Sequence, residues 1–256
     1  QQLVHYTHNS IHLISPFDSG GSSASLRKAF GLLAVGDLRN RLMALADRSV
    51  HGHPEVFELF TFRFPKDGNP DELKTWLQEM VDGHDPKVAA VPDPMRKLIR
   101  SHLRYFLEAM PEDFDLRGAN IGNLILVGGY LNNNRHIDAV VFLFSKLVNV
   151  RGKVRPTTSQ DLHLAAELED GETLVGQHLL TGKEVPPLSS PIRKLWLAES
   201  DDNLEPVTVE LRDKVRQLIA EADVICFPMG SFYSSVIANL LVSDVGRAVA
   251  ASDVPK

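Results

Sequence analysis

Apolar and polar residues follow two different periods along the chain, and each period predicts one kind of element. Short apolar runs at 11–15, 192–197 and 223–227 have the length of buried strands. A further strand is predicted at 149–154. Longer segments repeat apolar residues three and four positions apart, which is the period of an amphipathic helix. These predicted helices lie at 25–30, from 36 onwards, and at 71–110, 137–147, 209–222 and 232–241.

Strands that alternate with helices predict βαβ units and a mostly parallel sheet, so the predicted fold class is α/β. Three segments depart from that alternation. Residues 66–115 are amphipathic, interrupted by prolines, and predicted to be a helical insertion. Residues 166–175 predict a small β-hairpin around the turn Asp170-Gly171. Residues 124–131 are apolar nearly all round, which predicts a helix buried on every side, with polar first residues at a buried N-terminus.

Composition and charge narrow the class of protein. The 256 residues are 43% hydrophobic and 23% charged, which is ordinary for a globular chain and argues against disorder. We predict a single domain over residues 1–256. The formal net charge of −6 argues against a nucleic-acid partner, because duplex binders normally need a basic surface. A small phosphorylated ligand needs only a few local donors, so that class of partner stays open.

The single cysteine, Cys226, lies in an apolar run and is predicted to be a buried core thiol. A reducing compartment fits this cysteine usage. The chain has no apolar run near the ~20 residues that a membrane span requires, and it has no signal-peptide pattern at its start. We therefore expect a cytoplasmic protein without a membrane partner. The sequence leaves a homo-oligomer open and indicates no covalently bound organic cofactor.

Small polar residues and glycines stand at the starts of several predicted helices. The junctions are 18–23, 36–40 and 230–235, with 118–123 as a weaker fourth case. Helix N-termini present unpaired backbone N–H groups and a partial positive charge, and glycine lets a phosphate approach closely. One such junction alone is usually an ordinary helix cap. Several in one chain favour a shared phosphate site at the carboxyl ends of strands.

Asp18 and Asp37 are the carboxylates nearest these junctions, and carboxylate oxygens suit Mg²⁺. Asp37 is equally a candidate helix N-cap, so Asp18 is the better candidate ligand. The histidines near the start and at His51 and His53 lack the partners of a zinc site, and we expect them on the surface or in loops.

Familiar fingerprints are missing from the sequence. It contains neither the P-loop motif nor a G-x-G-x-x-G after a strand, and Gly230-Ser231 lacks the flanking residues of a nucleophile elbow. The basic segment Arg151-Gly152-Lys153 is either a phosphate contact or a solvated strand edge.

At these residues the chain resembles the CofD/YvcK-like family, which groups 2-phospho-L-lactate transferases with YvcK-type gluconeogenesis factors. Residues 18–27 (DSGGSSASLR) resemble its D-D-G-G-S-S-G-x-L-R segment. Four further matches follow in order, at 36–45, 122–124, 149–156 and 223–242. The segments around 18–23 and 149–154 are closest to the YvcK-type branch.

The chain also departs from the family pattern. The family's opening strand and glycine loop are expected just before Gln1, and another segment is expected beyond Lys256, so the chain is predicted to lack both. Ser19 stands where the family has a second aspartate, and Met229 stands directly before Gly230. The replacement at Ser19 weakens the case for a two-carboxylate metal site.

The resemblance implies a Rossmann-like fold, with helices on both faces of a mostly parallel sheet, that binds a nucleotide. The leading hypothesis is a regulatory protein that binds a UDP-sugar-like nucleotide sugar. The alternative is a Mg²⁺-dependent 2-phospho-L-lactate-type transferase with a guanosine nucleotide donor and a deazaflavin acceptor; an NAD-type oxidoreductase ranks last because its glycine fingerprint is missing. The predicted ligand contacts are Asp18 (also the candidate Mg²⁺ ligand), Ser19, Gly20, Gly21, Ser22, Asp37, Asn40, Asn123, Gly230, Ser231, Tyr233 and Ser234.

Overall fold

The computed structural model describes residues 5–49, 51–181 and 185–256. The strands are β1 (Ile11–Ile14), β2 (Lys153–Pro156), β3 (His163–Leu168), β4 (Thr173–Val175) and β5 (Ile192–Ala198). The α-helices are α1 (Gly21–Phe30), α2 (Gly36–Ala44), α3 (Pro54–Thr61), α4 (Pro70–Asp82), α5 (Pro86–Ala89), α6 (Met95–Ala109), α7 (Ile121–Asn132), α8 (Ile137–Leu147), α9 (Asp213–Ala220), α10 (Ala238–Leu240) and α11 (Val245–Ala251). A 3₁₀ turn covers Gln177–Leu180, and a π-helical turn covers Phe232–Ile237.

The strands form two small sheets. β1 pairs with β2, and the backbone bonds from Lys153 to Ser10 and from Thr157 to Ile14 advance together along both segments, which is parallel pairing. β3 lies between β4 and β5 in an antiparallel sheet. The predicted α/β class is confirmed, as is the hairpin, in which Ala166 pairs with Leu174 across the turn.

The chain divides into two compact units that interleave along the sequence. The helical unit contains Gln1–His12, Lys28–Phe30 and Leu38–Val154. The sheet unit contains Leu13–Arg27, Gly31–Asp37 and Arg155–Lys256. The single domain over 1–256 stays a prediction.

The helical unit is built around α7. Every residue from Ile121 to Tyr130 is buried, which confirms a helix that is apolar nearly all round. α6 crosses α7 at glycines, because a Cβ on Gly128 would lie 1.8 Å from the carbonyl oxygen of His102. The predicted helical region 66–115 contains α4 to α6, and α6 packs directly on α7, so these helices are part of the unit's core.

The sheet unit has its own core. Phe17, Leu164 and Leu197 pack with Val215 of α9 and Val242 in the turn before α11. Leu164 and Ala166, two residues apart on the central strand β3, both belong to this core, as the period of two requires.

Several predicted elements need correction. Residues 223–227 form no strand, and Val224 and Phe227 are 57% and 50% exposed. Cys226 is exposed as well, so the prediction of a buried thiol is wrong. A buried strand needs neighbours on both edges and faces. In this segment the N–H of Ile225 donates instead to the carbonyl of Pro255 near the chain end. An apolar run predicts a tendency to be buried but does not supply a partner.

Other boundaries shift for local reasons. The strand predicted at 149–154 is β2 at Lys153–Pro156, because Asn149 and Gly152 have positive φ angles of 46° and 142° that break extended pairing. The helix predicted from 209 begins only at Asp213. The helix predicted over 232–241 is the π-helical turn followed by α10.

In the part of the chain that the structure describes, no single helix combines the length and apolarity needed to cross a bilayer. One pair, Phe232–Leu240 with Val245–Ala251, meets those criteria only when taken together across an 81° bend.

Candidate functional site

The loop between β1 and α1 is an open helix start in the sheet unit. Gly20 is the N-cap of α1 and, as a glycine, has no side chain to cap the first turn. The Asp18 carboxylate instead accepts a hydrogen bond from the N–H of Gly20 at 3.1 Å. Gly21 is exposed and Ser22 is half-buried, so solvent reaches the first turn. Such a start attracts anions through its N–H groups and the helix dipole.

The start of α2 lies against this loop within the sheet unit. A Cβ placed on Gly36 would lie 2.4 Å from the Ser23 hydroxyl oxygen and 3.4 Å from Asp18 Oδ2. Glycine at 36 thus lets the two helix starts approach without displacing the Ser23 hydroxyl. Asp37 is the second residue of α2, in its first turn and exposed, so it is not the N-cap that the sequence predicted.

Arg27 anchors the loop from beneath. Its buried guanidinium lies 2.6 Å from Asp161 Oδ1 and donates to the backbone carbonyls of Phe17, Asp18 and Leu162. One cation thus ties the backbone just before α1 to the backbone just before β3. Burial lowers the pKa of the nearby His163 imidazole, and the Arg27 guanidinium lowers it further.

The loop at 230–235 is an exposed turn of the sheet unit whose start is capped by a side chain. The Ser231 hydroxyl caps the π-helical turn by accepting from the N–H of Ser234 at 3.3 Å. Gly230, Ser231 and Tyr233 are exposed, whereas Ser234 is buried. The Phe232 and Tyr233 rings pack edge to face, with their centroids 5.2 Å apart. The loop therefore presents a glycine and a hydroxyl to solvent on a capped turn.

Two residues that the sequence analysis missed connect these loops. His178 Nδ1 lies 2.8 Å from the Ser19 hydroxyl oxygen, and the Gln177 side-chain amide donates to the carbonyl of Ser234. A glycine at 176, directly after strand β4, was the only sequence signal for an unusual turn here.

The remaining predicted contacts belong to the helical unit. Arg39 donates to Asn123 Oδ1 at 2.9 Å and to Asn40 Oδ1 at 2.7 Å. Asn123 is buried, and its N–H is capped by the side chain of Asn120. Asn40 is exposed. The junction at 118–123 is thus a closed helix cap, and ligand contact by Asn40 or Asn123 stays a prediction.

The basic segment at 151–153 is mostly engaged. Arg151 forms an ion pair with Asp47 at 2.8 Å. Hydrogen bonds from Ser49, then the contact with Arg151, lower the pKa of Asp47 to about 2. Lys153 is exposed at the start of β2. This arrangement favours a structural role for Arg151 over a phosphate contact.

A metal at this site would depend on its ligand for most of its coordination. Among the described residues, no group of three His, Cys, Asp or Glu side chains is placed to hold a metal ion. Mg²⁺ commonly keeps several waters and takes one or two carboxylates together with substrate phosphates. Asp18, beside an open helix start, fits that role as a single protein ligand.

The chain matches one known protein family over its whole length and is similar to bacterial proteins of known name. The protein-family model described as 2-phospho-L-lactate transferase CofD matches residues 1–256. The chain is 29% identical over 249 residues to a gluconeogenesis factor of Listeria monocytogenes, covering 96% of this chain and 58% of that protein. It is 30% identical over 237 residues to the gluconeogenesis factor of Bacillus subtilis, covering 93% of this chain and 55% of that protein.

A solved structure agrees with these sequence matches. A crystal structure of a Bacillus halodurans protein, 26% identical, superposes with a TM-score of 0.65 and covers 96% of this chain and 59% of that chain. The present chain thus spans less than two thirds of the relatives that it matches.

Proposed function

Because this chain belongs to the 2-phospho-L-lactate transferase CofD family, we propose that it binds the diphosphate of a nucleotide or nucleotide sugar through the loops 18–23 and 230–234 of its sheet unit. The observation that carries the proposal is the open start of α1, where Gly20 leaves the first turn without a side-chain cap. A buried cation, Arg27, holds that start in place.

The chemistry of the loop suits an anion. Backbone N–H groups at a helix start point at the ligand, and the helix dipole favours its negative charge. The Ser22 and Ser231 hydroxyls are further donors at the two loops. Gly21 and Gly230, without side chains, let phosphate oxygens come close to the backbone. The Tyr233 ring is 41% exposed and offers a stacking surface for a base or sugar.

The relatives suggest the biological role. Two of them are named gluconeogenesis factors. We propose that this chain acts as a cytoplasmic regulator that responds to a nucleotide sugar.

Calorimetric titration of the full chain with UDP-N-acetylglucosamine and with GDP tests the proposal. Gly21 has a positive φ of 48°, so Gly21→Asp adds both backbone strain and a negative charge at the helix start. We expect it to weaken binding at least about tenfold. The matched control is Ser25→Asp, an exposed serine further along α1, which should bind like the wild type. If the wild type binds neither nucleotide, the proposal is wrong.

A transferase is the second candidate, favoured by the description of the matching family. When bound, Mg²⁺ would supply charge neutralisation at the phosphates. The chain's own part would be to hold that ion with Asp18 and to orient the donor through the two loops. Incubation with a lactyl guanosine nucleotide and a deazaflavin acceptor tests this. Turnover that Asp18→Ala abolishes supports the transferase, and no turnover by the wild type removes it.

A further inference from the structure

The short segment Gly176–His178, here called the clip, bonds to both candidate loops of the sheet unit. His178 reaches Ser19 across 159 residues of sequence, and Gln177 reaches Ser234 across 57. Gln177 is 7% exposed and Ser234 is 1% exposed, so the second bond is shielded from water. Two neighbouring side chains therefore tie together loops that are remote from each other in sequence.

The Ser19 hydroxyl makes two bonds to one residue. Its oxygen accepts from the backbone N–H of His178 at 3.3 Å and lies 2.8 Å from Nδ1 of the His178 ring. A hydroxyl has one hydrogen and two lone pairs, so it bonds to Nδ1 as donor or as acceptor according to the ring tautomer. The Ser19 hydroxyl is thereby engaged within the protein.

Gly176 shows that this segment is closely fitted. Its φ of 114° lies in a region that side-chain-bearing residues rarely adopt. A Cβ there would lie 3.0 Å from the Ser19 hydroxyl oxygen and 2.9 Å from the His178 ring. Any larger residue at 176 would disturb the backbone and the Ser19–His178 bond at once.

We propose that the clip is a positioning element: it fixes the loops 18–23 and 230–235 in a preformed arrangement, and Ser19 serves this clip instead of the ligand. The ligand part of this inference rests on the proposed function. Its structural part concerns the ligand-free chain alone. Fixed loops bind more tightly because less conformational freedom is lost on binding.

Hydrogen exchange of the ligand-free full chain tests the structural part. We expect His178→Leu to speed amide exchange in 18–23, and Gln177→Met to speed it in 230–235. Ser19→Ala is the milder variant should His178→Leu fold poorly, and it should affect 18–23 in the same way. Unchanged exchange in both loops in all three variants would overturn the inference.

A rescue series separates the specific bond from general packing. In His178→Asn the side-chain amide can present its oxygen or its nitrogen in the place of Nδ1, whereas in His178→Gln the amide is displaced by one bond. Slow exchange restored by asparagine but not by glutamine supports the bond to Ser19. Equal behaviour of the two variants contradicts it.

The affinity arm uses UDP-N-acetylglucosamine and GDP as probes. We expect His178→Leu to lower the affinity for the probe about tenfold and Ser19→Ala to lower it similarly. The double variant should lose little further affinity. Full affinity in His178→Leu would overturn the inference while leaving the proposed function intact. If the wild type binds neither probe, the proposed function fails, and the exchange experiment still decides whether the clip positions the loops.

Discussion

The start of α7 in the helical unit and the start of α1 in the sheet unit have the same kind of sequence and fold differently. Both combine glycine with small polar residues. At α7 the Asn120 side chain caps the first turn, and a Cβ on Gly122 would lie 2.4 Å from the carbonyl oxygen of Phe60. At α1 the N-cap is Gly20, which has no side chain, and Gly21 is exposed.

The contrast between the two helix starts lies in their capping and their exposure. A helix start whose donors are already bonded inside the protein has little left to offer a ligand, whereas an uncapped and accessible start does. Glycine serves close packing of backbone in the helical unit, and under the proposed function it gives an anion access in the sheet unit. Variants in the two units should therefore separate effects on stability from effects on binding.

The largest expected effect is on packing in the helical unit. Gly128→Ala places a Cβ 1.8 Å from the His102 carbonyl oxygen, which is backbone and cannot rotate away. We expect a loss of about 3 kcal/mol or more in the free energy of unfolding. Gly36→Ala is the control from the sheet unit, because its nearest neighbour is the Ser23 hydroxyl, which can rotate. Chemical denaturation measures both losses, and a milder loss for Gly128→Ala than for Gly36→Ala would contradict the close backbone packing at Gly128.

The next prediction concerns Arg27, whose bonds hold the loop before α1 in place. Arg27→Met removes the buried partner of Asp161 and three bonds to backbone carbonyls. Asp161 is 30% exposed and can be partly rehydrated, so we expect a loss of about 3 kcal/mol, at the low end for a buried pair. Urea unfolding checks this. A loss below about 1 kcal/mol would mean that the loop is not anchored by Arg27.

A buried histidine makes the helical unit sensitive to acid. Within the described part of the chain, neither ring nitrogen of His102 has a hydrogen-bond partner, and burial lowers the pKa of His102 to about 4. Since the unfolded chain takes up this proton near pH 6.5, stability is fully present above that pH and falls as the pH drops from 6.5 towards 4.

The expected loss from this residue is on the order of 2 kcal/mol by pH 5. His102→Met, which cannot titrate, should flatten the pH dependence of unfolding over that window. The Gly129 surface, which faces the ring, accepts a flexible side chain of similar size. An unchanged slope in the variant would show that His102 is not the group responsible.

Periodicity predicted the elements whose pattern is local. The helix Ile137–Leu147 has the predicted bounds, and the hairpin around Gly171 is confirmed. The segment 223–227 shows the limit, since apolarity cannot specify whether a neighbouring strand exists. The clip at 176–178 shows another limit, because its bonds join residues up to 159 positions apart and leave no periodic trace.

The sequence predicted the loops of the candidate site but not whether each helix start is accessible. Its loops follow from glycines and hydroxyls at helix starts, which are visible in the sequence. Whether each start is open or closed depends on what packs around it. The sequence therefore grouped Asn123 with Asp18, although the first is buried and bonded to Arg39 and the second lies half-buried at an uncapped turn.

The smallest expected changes in unfolding free energy compare Asn123 with Asp18. Asn123→Ala leaves buried Arg39 without one of its acceptors and should cost about 1.5 kcal/mol of unfolding free energy. Asp18→Ala removes a bond to one loop N–H and should change stability by less than about 0.5 kcal/mol.

Binding should separate the same two variants in the opposite order. If Asp18 holds Mg²⁺ against the ligand phosphates, Asp18→Ala weakens nucleotide binding about tenfold with Mg²⁺ present and has little effect in EDTA. Asn123→Ala should bind nucleotide like the wild type at a temperature where it is folded, because its side chain is engaged by Arg39. Strong loss of affinity in Asn123→Ala, with Asp18→Ala unaffected, would reverse the assignment and place the site at α7. Calorimetry on the two variants, with and without Mg²⁺, therefore decides which helix start is the functional one.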